Sequence, residues 1–165
     1  MPMFTKSIPR GIIYHSVRDE LVWLFESCFK KLNDGKVIRD FEYAFSSYMN
    51  SKHCLTFPYA RIALYYTLKS LKLPAGSEVL MPPVTIKAIL DVILALDLKP
   101  VFVDIDNETL CFDFEGLKNA VNDNTKVALL TYLFGMVPDV KEMTDYLKGE
   151  DVFVVEDFSQ CLDGE

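Results

Sequence analysis

Past Ser51 the sequence switches repeatedly between short apolar runs and amphipathic stretches, and few architectures accept that order. His53–Phe57 reads as a strand, Arg61–Leu71 as a helix and Pro74-Ala75-Gly76 as a turn. Val79–Met81 then reads as a strand, Thr85–Leu96 as a helix, Pro100–Ile105 as a strand and Phe114–Val121 as a helix. Lys126–Phe134 (strand), Val140–Leu147 (helix) and Val152–Glu156 (strand) complete the series. Strands separated by helices are joined by crossovers of one hand, which gives a mainly parallel sheet covered on both faces. The expected fold is α/β, a three-layer α/β/α arrangement around such a sheet. Val127-Ala128-Leu129-Leu130 and Val152-Phe153-Val154-Val155 are apolar without alternation, so both are expected as central strands.

The residues ahead of this series are helical. From Val17 to Leu32 apolar side chains recur at helical spacing, and Asn33-Asp34-Gly35 supplies a stop. A second helix is expected from Ile38 to Met49, with Phe41, Ala44, Phe45 and Tyr48 on one face. At 165 residues and 50% hydrophobic composition the chain can bury one sizeable core. A single domain over 1–165 is therefore expected, made of a helical segment (1–50) and a βα portion (51–165). Neither a repeat nor a linker interrupts it. The chain stops at Asp163-Gly164-Glu165, shortly after what should be an interior strand, so it reads as the front portion of something longer.

Charge and cysteine content narrow the class of partner. A net charge of −7 disfavours nucleic acid or an anionic membrane surface. The most apolar window, Ala88–Leu98, is broken by Asp91 and Asp97 and is too short to span a bilayer, and Met1–His15 does not read as a signal peptide. Cys28, Cys54, Cys111 and Cys161 lie far apart among apolar neighbours, which suggests buried, reduced thiols in a cytoplasmic protein. His15 and His53 are read as structural, and no metal site is expected.

In an open parallel sheet ligands bind beyond the carboxyl ends of the strands. Four segments reach that edge. Thr56–Ile62 is a strand-to-helix junction that either cradles a phosphate on its free N–H groups or is an ordinary turn. In Met81-Pro82-Pro83-Val84-Thr85, Thr85 is expected to cap the next helix. Tyr132-Leu133-Phe134-Gly135 ends in a glycine suited to a turn or a close approach. In Val155-Glu156-Asp157-Phe158-Ser159-Gln160, two carboxylates, a hydroxyl and an amide directly follow an apolar strand, which suits either a polar site or a solvated loop. No HExxH, GxSxG, Walker A or Rossmann glycine motif is present.

The order of these segments resembles the DegT/StrS-type sugar-nucleotide aminotransferases. The resemblance runs from about Lys36 to Gly164, through Gly76-Ser77-Glu78-Val79-Leu80-Met81-Pro82, Pro100–Asp106, Asn124-Thr125-Lys126, Phe134-Gly135 and Val155–Gln160. It implies pyridoxal 5′-phosphate (PLP) on a fold type I aminotransferase scaffold. It also implies a homodimer, and transfer of an amino group, usually from glutamate, to a nucleotide-linked keto-sugar. By the same resemblance Asp157 pairs with the pyridine nitrogen, Gln160 contacts the ring or its phenolic oxygen, and Ala60, Arg61 and Ile62 hold the phosphate. Ile86 occupies the position of an aromatic residue that stacks on the ring. The family's Schiff-base lysine would lie a short way beyond Gln160, and no lysine of this chain takes that place. Lys148 belongs to the helix before the last strand. The resemblance therefore leaves two rivals: a catalytically silent α/β binding module, and an unrelated flavodoxin-like domain.

Overall fold

The computed structural model describes residues 16–29 and 35–160. His15, Leu32, Asn33-Asp34, Cys161 and the final Asp163-Gly164-Glu165, all named above, lie outside the described residues. The chain divides into two compact units between Thr56 and Phe57. The first contains α1 (Val17–Phe29) and α2 (Gly35–Tyr48). On α2 the expected face is present, with Phe41 and Phe45 rings 5.7 Å apart and Phe45 and Tyr48 rings 6.4 Å apart. The helix gives way at Asn50, whose φ of 48° reverses the chain.

His53–Phe57 is not a strand. A strand there would need ladder partners, but the Thr56 backbone N–H and hydroxyl both donate to one Glu42 carboxylate oxygen, at 2.7 and 2.9 Å. A side chain has taken the place of a neighbouring strand, and the segment stays irregular.

The second unit runs α3 (Ala60–Ser70), β1 (Glu78–Met81), α4 (Lys87–Ala95), β2 (Lys99–Phe102), α5 (Phe114–Ala120), β3 (Thr125–Thr131), α6 (Lys141–Gly149) and β4 (Phe153–Asp157). Its four strands are all parallel, in the order β2-β1-β3-β4. Alternation along each strand divides the core between two faces. Val79, Met81, Val127 and Leu129 pack with Leu64 and Leu68 of α3 and Ile89, Val92 and Ile93 of α4. Leu80, Ala128 and Leu130 pack on the other face with Leu117 of α5 and Met143 and Leu147 of α6. The three-layer α/β expectation therefore holds. β1 connects to β2 through α4 on one face, whereas β2, β3 and β4 connect through α5 and α6 on the opposite face, as crossovers of one hand require when a sheet is wound in both directions.

Of the two strands expected to be central, β3 is, being buried along nearly its whole length. β4 is not. Among the described strands it pairs only with β3, and Phe153 is 47% exposed. β3 also ends at Thr131 rather than Phe134, because Phe134 and Gly135 both take left-handed backbone conformations (φ 57° and 83°). The Pro74-Ala75-Gly76 turn forms as expected, with Gly76 at φ 80°.

Candidate functional site at the carboxyl edge of the sheet

Because β1 leads to one side of the sheet and β3 to the other, the loops that follow them separate and leave a crevice above their carboxyl ends. Two cavities of about 220 Å³ lie along this edge. The first is bounded by α3 (Ala60, Ala63, Thr67) and by Leu129, Val155 and Asp157. The second is bounded by Thr85 and Ile86 after β1, Thr131 and Phe134 at the end of β3, and Asp157 and Gln160 at the end of β4. Asp157 lines both.

Strand register explains why Asp157 and Thr131 share this place. Thr131 pairs with Asp157 and Leu129 with Val155, all four on the face covered by α3 and α4. Glu156, between Val155 and Asp157, falls on the other face, where its carboxylate accepts a hydrogen bond from the Tyr132 hydroxyl at 2.6 Å. The two adjacent acids thus have separate jobs: Glu156 ties β4 to the end of β3, and Asp157 faces the crevice.

Asp157 is held from both ends. Its backbone carbonyl accepts from the Tyr132 N–H at 3.0 Å, and its Oδ1 accepts from the Ser159 N–H at 3.1 Å. Among the described residues Oδ2 has no partner. Thr131 Oγ1 is buried and also without a partner among the described residues. A buried hydroxyl left unbonded costs about 1–3 kcal/mol, so Thr131 presents an unmet hydrogen-bonding group at the second cavity.

The remaining expected residues distribute unevenly. Ala60 lines the first cavity, whereas Arg61 and Ile62 line neither. Arg61 is exposed, its guanidinium 4.3 Å from the centre of the Tyr59 ring. The Ile62 N–H donates to the Tyr59 carbonyl at 3.0 Å, so the N–H groups of Ala60 and Arg61 are the ones that precede any carbonyl of their own helix. Ile86 lines the second cavity, 64% exposed, and is itself the N-cap of α4 without a side-chain cap bond. Thr85 does not cap that helix, contrary to expectation. It borders the cavity instead. Gln160 Oε1 accepts from the Phe134 N–H at 3.0 Å.

Thr131 was not singled out from sequence, and Phe134 was named only as part of the Tyr132-Leu133-Phe134-Gly135 edge segment, with no role of its own. Thr131 was legible as the polar residue two positions beyond Leu129 on a buried strand face. Phe134 carried no signal beyond the glycine after it. Among the described residues no lysine lines either cavity, and Lys87 is turned to Asp91, its Nζ 2.6 and 2.7 Å from the two carboxylate oxygens. Among the described residues no cluster of His, Cys, Asp and Glu is arranged for a metal ion, and no helix is long and apolar enough to cross a membrane.

Residues 17–164 match the DegT/DnrJ/EryC1/StrS aminotransferase family. The chain belongs to that family. It is 27% identical to a GDP-perosamine synthase of Vibrio cholerae over 78% of this chain and 35% of that protein. It is 31% identical to a GDP-4-keto-6-deoxy-D-mannose 3-dehydratase of Yersinia pseudotuberculosis over 78% of this chain and 34% of that protein. Among solved structures it superposes on NtdA of Bacillus subtilis with bound cofactor PMP at a TM-score of 0.81 and 28% identity, covering 88% of this chain and 34% of that one. The chain thus spans about a third of the length of the family members it matches.

Proposed function

We propose that this chain carries the cofactor-binding front of a PLP-dependent sugar-nucleotide aminotransferase. The observation that carries the reading is the position of Asp157. Its carboxylate borders one cavity with Ala60 at the start of α3 and a second with Ile86, Thr131 and Gln160. PLP presents an anionic phosphate, a basic ring nitrogen and a phenolic oxygen, and this edge offers a partner for each. When bound, PLP supplies an electron-withdrawing ring conjugated to an aldehyde that bonds amines.

The unpaired Oδ2 of Asp157 holds a proton on the ring nitrogen, and the Ser159 N–H keeps that carboxylate oriented. The free N–H groups of Ala60 and Arg61, at the positive end of the α3 dipole, hold the phosphate. The buried Thr131 hydroxyl is left for a polar atom of the ligand. With a second copy of the chain completing the site, the expected substrates are an amino donor and a nucleotide-linked keto-sugar. The cytoplasm, where free thiols such as Cys111 persist, is the proposed location.

One observation favours the silent-module reading for residues 1–165 taken alone: among the described residues no lysine borders either cavity. That a sugar dehydratase stands among the relatives supports besides the view that this front does not by itself fix the reaction. Both points concern what is added to the cleft, and neither changes what the cleft binds. The test is equilibrium dialysis of PLP against the 165-residue chain and its Asp157→Ala variant. Saturable binding that weakens at least tenfold in the variant supports the reading, and equal uptake by both chains removes it.

A further inference from the structure

Phe134 occupies a conformation that an aromatic side chain rarely adopts. Its φ is 57°, and of the described non-glycine residues with positive φ it is the only aromatic one. Most of the others have a short-range reason: Lys72, Asp97 and Asp151 follow helix ends, and Asn50 is a residue type that tolerates the left-handed region. Phe134 has neither. Its ring is 75% exposed, so the strained backbone places no apolar mass in the core. Strain of this kind persists where the surroundings enforce it. Here the turn's own hydrogen bond holds the backbone, and the Gln160 side chain ties it from outside the turn, its Oε1 accepting from the Phe134 N–H at 3.0 Å. Among the side chains that line the two cavities, Phe134 is also the one aromatic group, and it shares its cavity with Asp157, Thr131 and the aliphatic Ile86.

Resting on the reading that the crevice takes PLP, we propose that Phe134 is the aromatic wall of the cleft, against which the pyridine ring packs, and that Gln160 is the positioning residue that holds it there. A ring protonated beside Asp157 is electron-poor and is attracted to the face of a phenyl group. Ile86 has no such face to offer.

The probe is PLP itself, titrated into the 165-residue chain and its variants. Phe134→Leu is expected to weaken binding about fivefold, the size of an aromatic pair contribution. Phe134→Trp is expected to keep the affinity, with its emission quenched by PLP to a greater extent than that of Trp23 in the unchanged chain. Phe134→Asn tolerates the left-handed backbone, so it should melt no lower than the unchanged chain while binding PLP as weakly as Phe134→Leu. Gln160→Met is expected to match Phe134→Leu, and the double variant to show no further loss, because both act through one ring. Losses that add in the double variant overturn the positioning role of Gln160. PLP binding that depends on Asp157 but is unchanged in Phe134→Leu overturns the aromatic wall and leaves the cofactor reading standing. No saturable binding by the unchanged chain overturns both.

Discussion

The Tyr132 hydroxyl donates to the Glu156 carboxylate at 2.6 Å, across the join between β3 and β4 and on the face of the sheet that packs against α5 and α6. Removing the hydroxyl with Tyr132→Phe keeps the buried ring and its packing. The Glu156 carboxylate is exposed and regains water. The expected cost is therefore modest, about 1 kcal/mol, seen as a lower urea midpoint with an unchanged slope. PLP affinity should not change, since the lost bond faces away from Asp157. A loss of affinity larger than the loss of stability would show that the two faces of β4 are coupled.

Much of the fold can be read from periodicity because most elements of the second unit are shaped by which of their faces is buried. The Ile89, Val92 and Ile93 spacing of α4 and the unbroken apolar run of β3 each meet a single demand. His53–Phe57 departs from expectation because a polar side chain chose its partner over long range, and Thr85 because α4 starts only at Lys87. Glu42 captured Thr56 from fourteen residues away, and Thr85 borders the crevice. For β4, the run Val152–Val155 is as apolar as that of β3, but an apolar run reports burial and not the number of neighbouring strands. At the site, Asp157 was legible because a carboxylate after a buried strand is hard to explain by packing. Thr131 was legible only by its place on the strand face, and neither its orphan hydroxyl nor the left-handed φ of Phe134 exists outside three dimensions.

At the opposite edge of the sheet Glu78 is buried, and its carboxylate accepts from Lys99 Nζ at 2.8 Å and from the Asn122 side-chain amide at 2.7 Å. The hydrogen bond from Lys99, then that from Asn122, hold the Glu78 carboxyl below its ordinary value, against the opposing effect of burial. A carboxyl with a depressed folded-state pKa stabilises the protein above its unfolded pKa and loses that stabilisation as pH falls through the folded value. Stability should accordingly drop on acidification below the ordinary glutamate range. Glu78→Gln should be less stable at neutral pH and show a shallower acid limb in melting temperature against pH. A limb of the same steepness would assign the acid sensitivity to the half-buried Asp106 and the exposed Asp145, whose carboxyls are also held low by hydrogen bonds.

Burial also separates the thiols, and here the expectation of uniformly buried cysteines is corrected. Cys111 is buried, Cys54 is half-buried and Cys28 is exposed, on a helix whose described residues are none of them buried. Burial pushes the Cys111 thiol above its ordinary value, and the Asp106 and Glu156 carboxylates push the same way. Less thiolate at a given pH means slower alkylation. Iodoacetamide at mildly alkaline pH should therefore label Cys28 first and Cys111 only after denaturant is added, read by peptide mass spectrometry. Native labelling of Cys111 at the rate of Cys28 would show that the core around β3 opens.

The absence of lysine among the described residues of the crevice gives the sharpest test of what residues 1–165 do alone. Amino transfer through PLP needs a lysine amine that bonds the aldehyde, yields it to the amino donor and then moves a proton between substrate and ring. In the proposed site Asp157, Thr131 and the start of α3 hold and polarise the ligand, but none of them is an amine. Lys87, the lysine nearest in sequence to the lining residue Ile86, is 82% exposed and paired with Asp91 one turn along α4. Breaking that pair costs little, since exposed i,i+4 pairs contribute about 0.3–0.5 kcal/mol. Reach is the greater obstacle, because Lys87 sits about 100° around the helix from Ile86. Incubation with PLP, reduction with borohydride and peptide mapping should therefore find weak label spread over surface lysines, with no glutamate turnover. Stoichiometric label on Lys87 alone, accompanied by turnover, would make that residue the covalent anchor and reverse the assignment of this polypeptide as a binding front without its own amine.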